Sequence, residues 1–293
     1  FLMIRQPPRS TQSRSSAASD VYKRQLYICR ITKKNKMKKL NLIMLLLFSI
    51  TISAQSVVEV TYLDIPATEI GDFVKAHKKI TDMSQDENRT IQASWVYRHW
   101  YGSGASVVIY DLYNSAEDAI NDDPFAALNK NVKKLSDEKQ KEMEATFDVW
   151  WSGFNNHWDE MRNYNMDNYF VTKENVDWDI PFVYVEGNYN SSGSEADLAD
   201  AFMEWSIKPG VKDGLMMAGG ATLHYKGAGS DVQFFSTYKD ITEFAKQISN
   251  SGSDNSEASS KFWSLVEGSH NDQILIHVGH LENGVFNLAG KDN

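Results

Sequence analysis

The sequence has very little cysteine: among its 293 residues only Cys29 is one. A single cysteine cannot form a disulfide within the chain, and beyond residue 54 no cysteine remains at all. That part of the chain can therefore supply neither a thiol nucleophile nor a thiolate ligand for a metal. Cysteine catalysis and cysteine-ligated metal centres are excluded there as functions.

Basic residues are also scarce beyond residue 54. Residues 1–54 hold 11 of the 30 Lys and Arg but only 1 of the 39 Asp and Glu, so residues 55–293 carry 19 basic and 38 acidic side chains, a formal net charge of −19. Such a charge repels phosphate backbones and anionic membrane surfaces, so we expect no nucleic-acid partner. This part also lacks the run of about 20 apolar residues that a membrane span requires.

The first residues do not look like part of a folded domain. Residues 15–25 resemble translated sequencing-adaptor read-through, so residues 1–36 are predicted to be an artefactual or untranslated leader. Residues 37–54 begin with Met37 and two lysines, continue with an apolar stretch and end at the small residue Ala54. This is the layout of a secretory signal peptide, which predicts a bacterial protein exported to the periplasm or the cell exterior.

A shift of 125 residues aligns the chain with itself. Residues 99–104, with the sequence HWYGSG, align with residues 224–229, HYKGAG, and the same shift places VVEV at 57–60 on FVYV at 182–185. One offset that serves separate segments is the mark of an internal repeat. The sequence therefore predicts two homologous halves, residues 55–172 and 173–293.

Both halves show the same predicted order of elements, β-α-β-β-α-β. Thr68 and Ser194 are expected to cap helices, Pro209 is expected to stop one, and an aromatic helix is expected to run through residues 147–161 as core or as the border of a groove. The expected strands are residues 57–63, 92–101, 106–113 and 169–172, then 182–189, 215–225, 231–238 and 273–281.

This order is that of the ferredoxin-like unit. A tandem pair of such units resembles the dimeric α+β-barrel superfamily, which includes antibiotic-monooxygenase-like and stress-responsive barrel domains. The resemblance implies an α+β fold in which two tandem ferredoxin-like β-α-β-β-α-β repeats form a pseudo-dimeric α+β barrel within one monomeric chain. No catalytic motif of the superfamily matches, so no active site is carried over.

The paired glycines at 102 and 104 do not form a phosphate-binding loop. The dinucleotide motif would need a third glycine where Val107 stands, and in the second half where Val232 stands. A β-branched strand follows each pair, whereas a phosphate-binding loop opens a helix. We expect hairpin turns instead, because glycine tolerates the positive φ that tight turns require.

The residues around these turns are the candidate ligand contacts. A turn centred on Ser103 would pair His99 with Val107 and Tyr97 with Ile109, and would place the histidine on one sheet face with its aromatic neighbours. Whether this face lines the barrel interior stays open, as does a purely structural role for both histidines. The candidate residues are Trp95, Tyr97, His99 and Tyr113, with His224 and Tyr238 in the second half.

The other histidines are weaker candidates. His77 lies on the apolar face of a predicted helix and is expected to pack there. His277 and His280 stand three apart on a predicted strand, which would place them on opposite faces. No metal site is predicted.

Two hypotheses about function follow. The preferred one is a non-enzymatic exported protein that binds a small apolar or aromatic molecule, or a partner protein, because no catalytic constellation is present and no cofactor is identified. The alternative is a monooxygenase-like or haem-handling enzyme that uses His99 or His224 inside the barrel. Haem is a cofactor only under this alternative, which rests on topology.

Overall fold

The computed structural model describes residues 55–173, 176–251 and 256–290. The predicted leader, the predicted signal peptide and Cys29 lie outside these residues. Within the described ranges, no helix is both long and apolar enough to cross a membrane.

The first half contains four strands, as predicted. Ser115 begins its second helix by accepting a hydrogen bond from the backbone N–H of Asp118 at 3.0 Å. Thr68 does not cap the first helix, which begins after Glu69 without a side-chain cap. The elements are β1 (Val57–Leu63), α1 (Ile70–Met83), β2 (Ala93–Gly102), β3 (Val107–Tyr113), α2 (Ala116–Asn121), α3 (Pro124–Val132), α4 (Asp137–Ser152) and β4 (His157–Val171).

The second half has a similar order and adds one strand. Ser194 begins its first helix as expected, since its hydroxyl accepts from the Asp197 N–H at 3.2 Å. The elements are β5 (Val183–Ser191), α5 (Glu195–Phe202), a π-helical turn (Met203–Ile207), α6 (Lys208–Lys212), β6 (Ala218–Gly227), β7 (Val232–Tyr238), α7 (Ile241–Ser251), α8 (Glu257–Leu265), β8 (Val266–Glu282) and β9 (Val285–Leu288).

Eight of the strands close into an antiparallel barrel. Their order is β2-β3-β1-β4-β6-β7-β5-β8, and β8 pairs back with β2, while β9 extends β8 on the outside. The β4–β6 and β2–β8 pairings join the two halves. The predicted α+β class is confirmed, and closure leaves the eight barrel strands without a free edge.

The two sheet faces have different partners, as alternation along a strand requires. Val58, Val60 and Tyr110 belong to the cluster inside the barrel. Leu63 and Val96 belong to an outer cluster with Phe73 of α1. The helix therefore covers the outside of the barrel and leaves its interior to the strands.

Two helix predictions were wrong. The aromatic helix ends at Ser152, and Trp158 lies in β4 instead. At Gly153 a Cβ would lie 2.5 Å from the Phe73 ring, so α4 ends where the chain passes too close to α1 for a larger residue. Pro209 does not stop a helix: it lies in the first turn of α6, where its missing N–H has no helical acceptor to lose.

Candidate functional site

The register of both hairpins differs by one residue from the predicted one. Tyr97 lies opposite Val108, whereas a turn centred on Ser103 would have placed it opposite Ile109. The second hairpin is displaced by the same single residue. Because side chains alternate along a strand, this difference moves every residue of β3 and β7 to the other face of the sheet.

The cause lies in the first glycine of each turn. Gly102 and Gly227 adopt φ of +95° and +99°, in the left-handed region, and both still belong to a strand. Each turn is therefore centred between its first glycine and the next residue, rather than on the residue between the two glycines. Tyr113 and Tyr238, which the predicted register grouped with the histidines, consequently lie outside the barrel: the first packs on Met161 and the second on Phe244, with ring centroids 5.2 Å apart.

The predicted histidines lie away from the interior cavity, although His99 is opposite Leu275 of the cluster inside the barrel. His99 is partly buried, and its Nδ1 has no hydrogen-bond partner among the described residues. His224 is also partly buried, with Nε2 3.1 Å from the carbonyl oxygen of Gly227. Neither lines the interior cavity.

Trp95 and Tyr97, in contrast, line a cavity of about 720 Å³ in the barrel interior. This cavity lies toward the end of the barrel where β2 begins. Its walls are rich in aromatic rings, and the Tyr97 and Tyr184 rings lie 4.3 Å apart. A concave site of this size with aromatic walls is typical of small-molecule binding. The main rings are Trp95, Tyr97, Tyr110, Trp178, Tyr184 and Phe235. We call this space the aromatic cavity.

His277 and His280 both line the aromatic cavity, so the prediction that they face opposite ways was wrong. Val96 lies opposite Gly279 but Tyr97 lies opposite His277, so β8 bulges by one residue between them. The two imidazoles consequently stack, with centroids 5.3 Å apart. The glycine between the histidines was the available signal, since a glycine within a strand often marks a bulge.

His277 borders the cavity and has one buried ring nitrogen without a partner among the described residues. It is fully buried, and its Nδ1 lies 3.0 Å from the Ile180 carbonyl oxygen. Because a carbonyl oxygen only accepts, Nδ1 carries the proton and Nε2 holds a lone pair. Nε2 has no hydrogen-bond partner within the described part of the chain. Burial lowers the pKa of His277 to about 4, so the ring is neutral at pH 7.

The cavity tyrosines are neutral hydroxyls. Burial raises the pKa of Tyr97 and Tyr184 well above the usual value, and raises that of Tyr164 to about 12. They can donate hydrogen bonds to a ligand but do not supply phenolate charge at neutral pH.

The mouth of the aromatic cavity is acidic. Asp177, Asp179 and Glu282 are exposed there, and no Lys or Arg is found among the described residues that line the cavity. His280 Nε2 lies 3.6 Å from the Asp179 carboxylate. The field at the entrance therefore favours neutral or cationic ligands over anions.

A buried polar network lies beneath the cavity. Tyr110, in the cavity wall, donates its hydroxyl hydrogen bond to the Glu186 carboxylate. Glu186 is fully buried and also accepts from Asn188 at 2.7 Å and from Gln273 at 3.1 Å. Burial raises the pKa of Glu186, while these three hydrogen bonds act in the opposite direction.

A second chain of contacts reaches the same network. Gln233, also in the cavity wall, donates to the Tyr62 hydroxyl at 2.8 Å, and Tyr62 donates to Glu160 at 2.7 Å. Arg162 binds the other Glu160 oxygen at 2.8 Å. Sequence reasoning missed these residues, because polar side chains within strands usually face water.

Fold and cavity together define an eight-stranded antiparallel α+β barrel with an internal aromatic site. No family model and no curated protein matches the chain. Among solved structures, it is similar to an anthrone oxidase-like protein, with a TM-score of 0.51 and 13% identity over 83% of this chain and 96% of that one. A candidate monooxygenase from Fusobacterium nucleatum has a TM-score of 0.51 and 10% identity over 82% and 100%.

Both similarities are of fold alone, and they support the predicted α+β barrel. A haem-binding protein from Thermus thermophilus is also similar, at a TM-score of 0.38 and 12% identity over 76% of this chain and 91% of that one. The described residues contain no group of three or more His, Cys, Asp or Glu side chains placed to hold a metal ion.

Proposed function

We propose that the protein binds a small aromatic molecule that carries a hydroxyl or amino group and is neutral or cationic. The observation that carries this proposal is the aromatic cavity itself, bordered by His277, whose buried Nε2 is unpartnered among the described residues and becomes reachable when the neighbouring rings shift around a ligand. A buried acceptor left without a donor costs about 1–3 kcal/mol, which a ligand O–H or N–H would recover.

The walls supply most of the affinity. A bicyclic ring that buries about 250 Å² of apolar surface gains roughly 6 kcal/mol before the entropic cost of binding. Stacking between Trp95 and the rings around Tyr97 adds to this term. The hydrogen bond to His277 adds about 1 kcal/mol and sets the orientation of the ligand.

Three probes with the same ring system test the proposal: naphthalene, 2-naphthol and 2-naphthoate. Quenching of tryptophan fluorescence should report binding, because Trp95 and Trp178 line the cavity. We expect 2-naphthol to bind several-fold more tightly than naphthalene, because it can donate to His277. We expect 2-naphthoate to bind least, because its charge meets the acidic mouth.

Matched variants separate the contacts. His277→Phe should remove the advantage of 2-naphthol over naphthalene while leaving naphthalene binding nearly unchanged. Tyr97→Leu should weaken all three probes, whereas Tyr113→Leu, on the outer face, should leave affinity unchanged. Equal affinity for the three probes, or an unchanged preference in His277→Phe, would refute the proposal.

The enzymatic alternative receives less support. The pKa of His277, about 4, makes it a hydrogen-bond acceptor but a weak base for removing a proton from a phenol. Haem does not fit well, because the described lining offers carboxylates but no Lys or Arg for its two propionates. His99 and His224 lie outside the cavity. Oxygen consumption with 2-naphthol, measured with an oxygen electrode, would instead favour a monooxygenase.

We also propose that the chain is exported and that its halves, residues 55–172 and 173–293, are a fused duplication that works as a monomer. The first proposal rests on the signal-peptide layout of residues 37–54. The second is supported by the shared order of strands and by the equivalent positive φ at Gly102 and Gly227. Cleavage after Ala54 on secretion, seen by mass spectrometry, and a monomeric mass in solution would test them.

A further inference from the structure

A second, smaller cavity of about 180 Å³ lies between the two glycine turns. Gly104 from the first turn and Gly229 from the second both line it. It lies toward the opposite end of the β2–β8 pair from the aromatic cavity, near the pairing of Gly102 with Gln273. We call this space the turn cavity.

Among the described residues, the buried carboxyl groups around the turn cavity, Glu160 and Glu186, outnumber the one buried cation, Arg162. Arg162 is fully engaged: Nη1 binds Glu160 at 2.8 Å, Nε binds the Thr222 hydroxyl at 2.7 Å, and Nη2 binds the Ser230 carbonyl at 3.1 Å. This ion pair neutralises Glu160 and leaves Glu186 without a cationic partner.

The partners of Glu186 are all neutral, namely Tyr110, Asn188 and Gln273. The described residues that line the turn cavity include no Lys, Arg or His. A buried charge is ordinarily paired, bound to a cation or neutralised by a proton. Burial and the nearby Glu160 raise the pKa of Glu186, while its three hydrogen-bond donors favour the charged form.

Gln273 supplies the second observation. It is 3% exposed, and its amide nitrogen donates to Glu186, which fixes the orientation of the amide. Its Oε1 points to the turn, 1.8 Å from where a Cβ on Gly104 would stand, and has no donor among the described residues. An amide oxygen buried in this way is costly unless a donor or a cation fills the space.

The second turn repeats the arrangement. Glu160 pairs with Gly227 as Gln273 pairs with Gly102. A Cβ on Gly229 would lie 1.7 Å from a Glu160 oxygen. Both turns therefore use glycine where an oxygen acceptor approaches the backbone. Trp158 also lines the cavity and adds an aromatic face that attracts cations.

We propose that the turn cavity binds one compact monovalent cation, an alkali metal ion or an ammonium ion. Gln273 Oε1 and the Glu186 carboxylate hold it, since oxygen atoms are the ligands that hard cations take. One uncompensated negative charge calls for a single positive one.

The test is urea unfolding of the protein in N-methylglucamine chloride, with NaCl, KCl or NH4Cl substituted at constant ionic strength. We expect at least one small cation to stabilise the fold. Above its dissociation constant, each tenfold increase in its concentration should lower the unfolding equilibrium constant about tenfold. The salt that stabilises the fold against urea shows whether sodium, potassium or ammonium binds.

Variants assign the effect to the turn cavity. Gln273→Leu and Glu186→Gln should lose the response, and so should Gly104→Ala, which fills space beside Gln273. Gly193→Ala should keep it, because a Cβ there meets nothing within 4 Å. Should the first two variants fail to fold, crystals grown with RbCl give a direct measurement: we expect a rubidium peak beside Gln273 Oε1.

Three results would overturn the proposal. The small cations could act no differently from N-methylglucamine, or Gly104→Ala could respond as the unchanged protein does. Alternatively, infrared difference spectra could show a protonated carboxyl band that Glu186→Gln removes. That last result would mean that a proton, rather than a cation, neutralises Glu186.

Discussion

His277→Gln should make the stability of the protein less sensitive to acid. The pKa of His277 is lowered by burial from 6.5 to about 4. Between these values the unfolded chain binds a proton that the folded chain does not, so stability falls as the pH falls through this window. Glutamine carries no proton in this range, and its amide can still donate to the Ile180 carbonyl.

The magnitude follows from the shift. A difference of 2.5 pKa units at about 1.36 kcal/mol per unit corresponds to about 3 kcal/mol. This loss of stability is absent above pH 6.5 and complete below about pH 4. Other groups also titrate here: Glu59, with its pKa raised to about 7, and Asp111, raised to about 6, act in the opposite direction. They are present in both proteins and cancel in the comparison.

Urea unfolding at several pH values between 7 and 4 provides the measurement. The free energy of unfolding of the unchanged protein should fall by about 3 kcal/mol more than that of His277→Gln. Parallel curves for the two proteins would refute the reasoning. So would an NMR titration in which the His277 ring takes up its proton near pH 6.5.

Two further predictions concern stability and use the same urea assay. Arg162→Met should cost about 3–5 kcal/mol, because it leaves Glu160 buried without its partner, whereas Arg98→Met, at an exposed position, should change stability by less than about 0.5 kcal/mol. Gly102→Ala should cost about 1–3 kcal/mol from its positive φ and more from the clash of its Cβ with a neighbouring backbone oxygen, while Gly193→Ala should be nearly neutral. Equal losses within either pair would contradict the assigned cause.

The strands could be predicted because apolar and β-branched runs mark them directly. Val57–Leu63 has the predicted bounds, and all eight barrel strands were expected, although β4 and β8 are much longer than predicted. The additional residues pair with strands distant in sequence: the start of β8 with β5, and β4 with β1 and β6. A strand held by a distant partner extends through polar residues that have no strand pattern of their own.

The site was harder to predict, because it depends on offsets of a single residue. Because of the turn at Gly102, Tyr113 lies on the outer face of the barrel. Because of the bulge before Gly279, His277 lies on the inner face. Neither offset changes the local pattern of apolar residues. Trp95 and Tyr97 were placed among the candidate contacts because they share one face of β2, which needs no knowledge of the turn.

The buried network depends on contacts between distant segments. Glu186 meets Gln273 across 87 positions of the chain, and Tyr62 meets Gln233 across 171. Only the closed barrel brings these pairs together, so no local sequence pattern predicts them.

Closure of the barrel also constrains the order in which the strands can pair during folding. Ser94, near the start of β2, pairs with Leu281, near the end of β8, so the ring of strands cannot be completed until almost all of the described chain is available. Until then β2 and β4 each leave one edge unpaired, exposed to any other extended segment. Contacts so distant in sequence slow folding. We expect nascent or newly translocated chains to spend a period in which they depend on protection from aggregation.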